Sequence, residues 1–131
     1  GEISFLVHAS GAMGKAHGSA GREEVYKQII SVPCISLDDF IFKQRHAVPD
    51  IVKMDIEGGE ILAIKGIHRV LREKRPIFFI ELHVQEAIRI VCKNLCDAHY
   101  EVFNMETGNS HITDSSQLGE KAYIIAIPKK S

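Results

Sequence analysis

Acidic side chains and one histidine follow two apolar segments of this chain. Asp55 and Glu57 come at the end of the apolar run at residues 51–56, and Glu81 and His83 follow the run at residues 77–80. Carboxylates and an imidazole brought together can orient a polar substrate, move protons or ligate a divalent cation. Closely spaced carboxylates cost free energy when they are desolvated. Their placement here therefore points to chemistry rather than to stability alone.

The apolar run at residues 51–56 predicts a strand that is followed by a helix. A Pro49-Asp50 turn signal precedes residues 51–56, and this run predicts a strand buried on both faces, as in a parallel sheet. Gly58-Gly59 follows, and helical spacing begins at Ile61. In open α/β sheets the carboxyl ends of parallel strands form the ligand crevice, so we expect Asp55 to face that crevice.

Each of these residues also has a purely structural explanation, which the sequence leaves open. Glu57 or Glu60 can stabilise a helix N-terminus by about 0.3–1 kcal/mol. Glu81 can form an ion pair with a basic residue such as Arg75 or Lys53, and His83 can cap the helix that follows.

Length, charge and cysteine content narrow the class of protein. The 131 residues predict a single domain, residues 1–131, in which residues 1–48 supply a strand, a Gly-rich loop and an edge strand and residues 49–131 supply the core. The net charge of −1 gives no electrostatic case for nucleic acid or an anionic membrane. We find no apolar run of membrane-spanning length and no signal peptide. Three cysteines without a CxxC pair indicate reduced thiols, so we expect a cytoplasmic protein.

The first third of the chain predicts strands and a loop. Residues 3–7 predict a strand, and residues 8–24 predict a flexible loop or mobile lid that fits neither the P-loop nor the GxGxxG pattern. Residues 29–37 predict an edge or bulged strand interrupted by Pro33. A polar-capped helical turn is expected at residues 38–42, before the strand that carries Asp55.

The remainder predicts two helical segments and three strands. Residues 59–74 have helical spacing with Gly66 in the middle, which predicts two short helices or a close backbone contact there. Strands are expected at residues 77–80, 100–105 and 121–127, the last two antiparallel, with a turn at 107–110. Residues 84–98 predict an amphipathic helix. Its apolar face comprises Val84, Ala87, Ile88, Val91, Cys92 and Leu95. Cys92 and Cys96 on this helix fit small core residues better than a metal pair.

Four short segments resemble the FkbM type of S-adenosylmethionine-dependent methyltransferase. They read ISLDDF at 35–40, VKMDIEGGE at 52–60, IKG at 64–66 and IELH at 80–83. The second is similar to the signature VKxDxEGxE and is the most specific of the four. The resemblance covers residues 1–83 by motif and the rest by topology, and it corresponds to the C-terminal part of the family's domain.

The resemblance implies an α/β fold with a Rossmann-like methyltransferase sheet, mostly parallel with an antiparallel last strand. It implies S-adenosylmethionine as cofactor and methyl transfer to the oxygen of a small-molecule or sugar-like acceptor. The family's Gly-rich turn after its first strand, and the acidic residue that ends its second, have no counterpart in this sequence. We therefore expect a partial domain that lacks the N-terminal cofactor-binding strands and the main cofactor-binding segment.

Within this hypothesis Asp55 orients the acceptor, His83 is the base, and Glu57 and Glu81 support them. The other histidines have no assigned role, and no metal is required. One alternative is an enzyme or module that binds a divalent metal through Asp55, Glu57, Glu81 and His83. Another is a non-catalytic interaction domain with the same fold. The exposed flank of the strand at residues 51–56 also predicts self-association through a sheet edge.

Overall fold

The smaller of two sheets contains the N-terminal strands. A computed structural model of the protein describes residues 1–11, 13–19 and 26–130. Strands β1 (Glu2–His8), β2 (Gly14–Ala16) and β3 (Tyr26–Pro33) form an antiparallel sheet in the order β2-β1-β3. The predicted strand at 3–7 is confirmed. The loop prediction for residues 8–24 is wrong at β2, and its residues 12 and 20–24 lie outside the described residues.

Strand β3 ends earlier than the sequence suggested. It occupies an edge of the small sheet, as predicted, but it stops at Pro33 and does not continue to Leu37. The chain turns instead into a π-helical turn at Asp39–Lys43, which confirms the predicted helical turn. A proline has no N–H for a sheet ladder, which explains why the strand ends there.

The larger sheet carries the residues of interest. Its strands are β4 (Ile51–Met54), β5 (Ile77–Leu82), β6 (Tyr100–Asn104), β7 (Ser110–Ile112) and β8 (Ala122–Pro128), in the order β4-β5-β8-β6-β7. Strands β4 and β5 are parallel, and β8 is antiparallel to β5 and to β6. The fold is therefore mixed α/β with a five-stranded mixed sheet, and the antiparallel last strand is confirmed. The prediction of a mostly parallel sheet is wrong, since β4 and β5 form the one parallel pair among its described strands while the other pairs are antiparallel.

Strand β4 is more exposed than predicted. Among the described residues it pairs only with β5, so it forms an edge of the sheet. Ile51 is 58% exposed, and Met54 is the one buried residue of the strand. The prediction of a strand buried on both faces is wrong, because an apolar run alone does not show whether a second neighbour pairs with it. The strand also ends at Met54 and does not include the predicted residues 55 and 56.

The segment after β4 breaks at Gly66, as predicted. Helix α1 (Glu60–Ile64) and a π-helical turn at Val70–Lys74 lie on either side of it. A Cβ atom at Gly66 would lie 2.8 Å from Cβ of Ser36, so the predicted close contact is present as well. The residues before the π-helical turn at Asp39–Lys43 thus pack directly against the chain that follows α1.

Helix α2 (Gln85–Asp97) buries one apolar face. The predicted face is confirmed, since Ala87, Ile88, Val91, Cys92 and Leu95 are buried. The sequence did not predict β7, which forms a hairpin with β6 around the expected turn.

No helix in the described ranges is both long and apolar enough to cross a membrane. Localisation stays a sequence-based prediction.

Candidate functional site

The parallel pairing of β4 and β5 brings the candidate residues together. Met54, the last residue of β4, pairs with Ile80 in register, so Asp55 and Glu81 follow at the same edge of the sheet. His83 comes directly after β5. Its Nε2 atom lies 3.7 Å from Oδ1 of Asp55. The proposed proximity of these two side chains, inferred from parallel strand ends, is therefore present in the structure.

The turn between β4 and α1 has an unusual backbone. Glu57 has φ of 50° and Gly58 has φ of 89°, both in the left-handed region. This conformation costs a residue with a Cβ about 1–2 kcal/mol, so Glu57 is held there by its surroundings. The turn directs Oε2 of Glu57 to 3.7 Å from Nε2 of His83.

Carboxylate oxygens surround one side of the His83 ring. Besides Asp55 and Glu57, Oε1 of Glu81 lies 3.4 Å from Nε2. None of the three forms a hydrogen bond with Nε2, which is buried and without a hydrogen-bond partner. The His83 side chain is only 9% exposed. All four residues selected from the sequence thus meet at Nε2 of His83.

Glu60 contacts the other side of the ring, and the sequence analysis missed it as a site residue. Its Oε1 lies 3.1 Å from Nδ1 of His83 and also accepts a hydrogen bond from the Gly58 amide at 3.3 Å. Glu60 is 0% exposed, and its second oxygen has no partner. Its spacing of four residues from buried Ile64 was the available signal, since it places Glu60 on the core face of α1.

Lys121 also belongs to the site and gave no signal in the sequence. Its Nζ lies 2.6 Å from Oε1 of Glu81. The hydrogen bond from Lys121 holds the pKa of Glu81 below its usual value, against the opposing effect of burial. The ion pair expected for Glu81 exists, but Arg75 and Lys53 were the wrong candidates. Arg75 instead donates to the carbonyl oxygens of Ala98 and His99.

The same group of residues has the donor atoms of a metal site. One ligand atom each from Asp55, Glu81 and His83 lie within 4.8 Å of one another. The cysteines of α2 do not add to it. Burial raises the pKa of the Cys92 thiol to about 12, as expected for a core residue. Cys96 is exposed, so the prediction of a core residue is wrong for Cys96.

A surface pocket lies away from these residues. Pro33, Cys34, Asp39 and Lys43 are among its lining residues, and none of the carboxylates around His83 belongs to it. It follows β3 rather than the carboxyl ends of β4 and β5. The candidate site is therefore defined by converging side chains and not by the pocket.

Comparison with protein-family models shows which family the chain belongs to. The model described as the methyltransferase FkbM domain matches residues 3–107. The chain belongs to the FkbM methyltransferase family. Asp55, Glu57, Glu60, Glu81 and His83 all fall inside the match, whereas Lys121 and β8 follow it. No curated protein and no solved structure matches this FkbM chain.

Proposed function

We propose that this FkbM chain is the acceptor-binding part of an S-adenosylmethionine-dependent methyltransferase that methylates the oxygen of a small-molecule or sugar-like acceptor. Family membership supports methyl transfer. The strand order β4-β5-β8-β6 with a reversed last strand supports a Rossmann-like methyltransferase sheet. The observation that carries the proposal is the unpartnered Nε2 of His83 among the strand-end carboxylates.

The residues around His83 fit an acceptor better than the cofactor. When bound, S-adenosylmethionine supplies a methyl group on a sulfonium for in-line displacement. In the described part of the chain, Gly58-Gly59 joins a strand of the large sheet to a helix, but carboxylates flank it. These would repel the carboxylate of the cofactor's amino-acid portion. We therefore assign the main cofactor contacts to none of the described residues and place only the acceptor here.

In this proposal the acceptor hydroxyl lies beside Asp55 and His83, and the partly exposed side chains of Asp55 and Glu57 move aside to let it reach the buried Nε2. Asp55 is partly exposed and can accept a hydrogen bond from the acceptor, which fixes the orientation of the hydroxyl. With Nδ1 of a neutral His83 ring as the donor to Glu60, Nε2 keeps a lone pair that can take the hydroxyl proton as the oxygen becomes the nucleophile. Glu57 and Glu81 bind further polar groups of the acceptor or support the ring. General-base help of this kind contributes about 10²–10⁴-fold to the rate.

The test uses the protein as encoded in full, whatever flanks these residues. Calorimetry with S-adenosylmethionine comes first, and transfer from methyl-labelled cofactor to a panel of monosaccharides and polyols follows. We expect cofactor binding and label on an oxygen of at least one acceptor. Absence of cofactor binding would overturn the proposal. Label found on nitrogen or carbon acceptors would overturn its oxygen specificity.

A non-catalytic interaction domain is the second candidate function. The favouring observation is the edge strand β4, whose pairing among the described residues is limited to β5, together with exposed Ile51, Ile56 and Leu62. On this account the protein binds no cofactor and self-associates through β4. Sedimentation of the wild type and of Ile51→Lys distinguishes the two, because a charge on the edge strand should disperse such an assembly.

A further inference from the structure

We propose that Asp55, Glu81 and His83 bind one divalent cation of the Mg²⁺ and Mn²⁺ class. The inference rests on the proposed function, since the cation would occupy the position of the acceptor hydroxyl proton and contact the acceptor oxygen. In this form His83 ligates the cation instead of acting as the base, the cation lowers the pKa of the acceptor hydroxyl, and the exposed carboxylate of Glu57 takes the proton. Cation binding is measurable without methyl transfer, so the two proposals can fail separately.

The distances between the ligand atoms suit a small cation. Two ligands about 2.1 Å from an octahedral ion are about 3.0 Å apart when adjacent and about 4.2 Å apart when opposite. Nε2 of His83 lies 3.4 Å from Oε1 of Glu81 and 3.7 Å from Oδ1 of Asp55. Both separations exceed the adjacent spacing by less than about 1 Å, so the side chains must move slightly inward to bind an ion. One atom from each of the three residues lies within 4.8 Å of the others, so small side-chain movements complete the set.

The unpartnered nitrogen is the second observation. An ionised Glu60 carboxylate can only accept, so in a neutral His83 ring Nδ1 donates to Glu60 and Nε2 carries a lone pair. That lone pair is buried and faces three carboxylates without a hydrogen bond to any of them. The surrounding carboxylates favour a positive charge at this position beyond what Lys121 beside Glu81 and Lys53 beside Asp55 supply. A cation bonded to Nε2 and to the carboxylates supplies it.

Glu60 contacts the ring nitrogen of His83 that would not bind the cation. Metal-bound histidines usually donate their other ring N–H to a carboxylate, which fixes the ring and strengthens the ligand. Glu60 contacts Nδ1 at 3.1 Å and is fully buried. Burying the Glu60 carboxylate with one oxygen unpaired costs free energy. A site that binds a ligand explains why the protein keeps this Glu60–His83 pair better than a cluster that only faces solvent.

Lys121 competes with the cation for Glu81. Its ammonium lies 2.6 Å from Oε1 of Glu81, the oxygen that also faces His83. Cation binding therefore requires Lys121 to move or to share the carboxylate. The Lys121 side chain is 45% exposed and can swing into solvent. Removal of its charge should tighten cation binding, an effect that a merely structural role for Glu81 does not predict.

The experiment is a Mn²⁺ titration of the full protein, followed by the electron paramagnetic resonance signal of free Mn²⁺. We expect one saturable site per chain. Asp55→Asn and Glu81→Gln should each weaken it at least about tenfold. Lys121→Met should tighten it, whereas Lys43→Met and Asp39→Asn, which alter an exposed ion pair elsewhere, should leave it unchanged.

Several results would overturn the cation site. They are the absence of saturable binding, equal losses in Asp39→Asn, or unchanged binding in both Asp55→Asn and Glu81→Gln. If circular dichroism shows that a variant does not fold, the wild type is used instead. Bound Mn²⁺ should then broaden the nuclear magnetic resonance signals of the His83 ring. Unbroadened His83 signals at saturating Mn²⁺ would contradict the proposal. Saturable Mn²⁺ binding without cofactor binding would overturn the methyltransferase proposal but not the cation site.

Discussion

Oε1 of Glu60 lies 3.1 Å from Nδ1 of His83, although the two residues are 23 positions apart in the sequence. The contact ties the first residue of α1 to the end of β5. Because Glu60 is fully buried, the ring of His83 is held from one side while its other nitrogen faces Asp55, Glu57 and Glu81. Both the base and the cation accounts depend on this orientation.

The tautomer of His83 tests that contact directly. We expect the neutral ring to be protonated on Nδ1, and Glu60→Gln to shift part of the population to the Nε2-protonated form, because a glutamine amide can also donate to Nδ1. Long-range proton–nitrogen correlation spectra of the side chain measure both states. Glu73→Gln, which alters an exposed pair with Arg69, serves as the control. A wild-type ring protonated on Nε2 alone would contradict the account.

Asp38 should stabilise the fold far more than its neighbour Asp39. Its two carboxylate oxygens accept hydrogen bonds from the backbone amides of Val70 at 2.9 Å and Arg69 at 3.0 Å, where they cap the π-helical turn. We expect Asp38→Ala to lower the free energy of unfolding by about 1–2 kcal/mol. Asp39→Ala removes only an exposed pair with Lys43 and should cost less than about 0.5 kcal/mol. Urea unfolding measures both, and equal losses would show that the cap is not formed.

Gly66 should tolerate no side chain. A Cβ there would lie 2.8 Å from Cβ of Ser36, so Gly66→Ala forces a backbone shift that we expect to cost about 1–3 kcal/mol. At Gly119 the nearest atom to an added Cβ lies 3.7 Å away, which is ordinary contact. Gly119→Ala is therefore the matched control, and thermal unfolding compares the two. A Gly66→Ala variant as stable as wild type would refute the close approach.

Tyr100 should make the protein less stable at alkaline pH. Burial raises the pKa of its phenol to about 12, while its hydroxyl donates to the carbonyl oxygen of Pro76 at 2.9 Å. The unfolded chain ionises first, so this stability is complete below about pH 10 and is lost between about pH 10 and the folded pKa. The difference between the folded pKa of about 12 and the ordinary tyrosine value of 10.0 corresponds to about 2–3 kcal/mol of folding stability. Unfolding at pH 9 and pH 11.5 measures the loss. Tyr100→Phe should remove it, and Tyr26→Phe should leave it in place; the opposite pattern would contradict the prediction.

Local patterns predicted much of this fold because the relevant forces act within short segments. The apolar run at residues 77–80 lies within β5, which continues to Leu82. The periodic face of α2 is buried, and the break at Gly66 is present. The meeting of Asp55 and His83 also followed from the sequence, since parallel neighbours end at one edge.

Features that depend on distant partners were not predictable in the same way. Lys121 reaches Glu81 only because β8 inserts beside β5, and nothing near Lys121 in the sequence indicates this. The spacing of Glu60 from Ile64 indicates a core-facing position, but its contact with the His83 ring could not be read from it, because His83 is distant in the sequence. Strand β7 is three residues long, too short for an alternating pattern. The exposure of β4 depends on what pairs with its second edge.

The most direct test of the central claim is methyl transfer by strand-end variants. Asp55→Asn and His83→Gln are compared with Asp50→Asn, which lies before β4 at the opposite end of the strand. In the full protein with labelled S-adenosylmethionine and the best acceptor of the panel, we expect kcat to fall at least about 100-fold in the first two. Cofactor affinity and the activity of Asp50→Asn should be retained. Wild-type turnover in both Asp55→Asn and His83→Gln would contradict the claim that these two strand ends form the acceptor site.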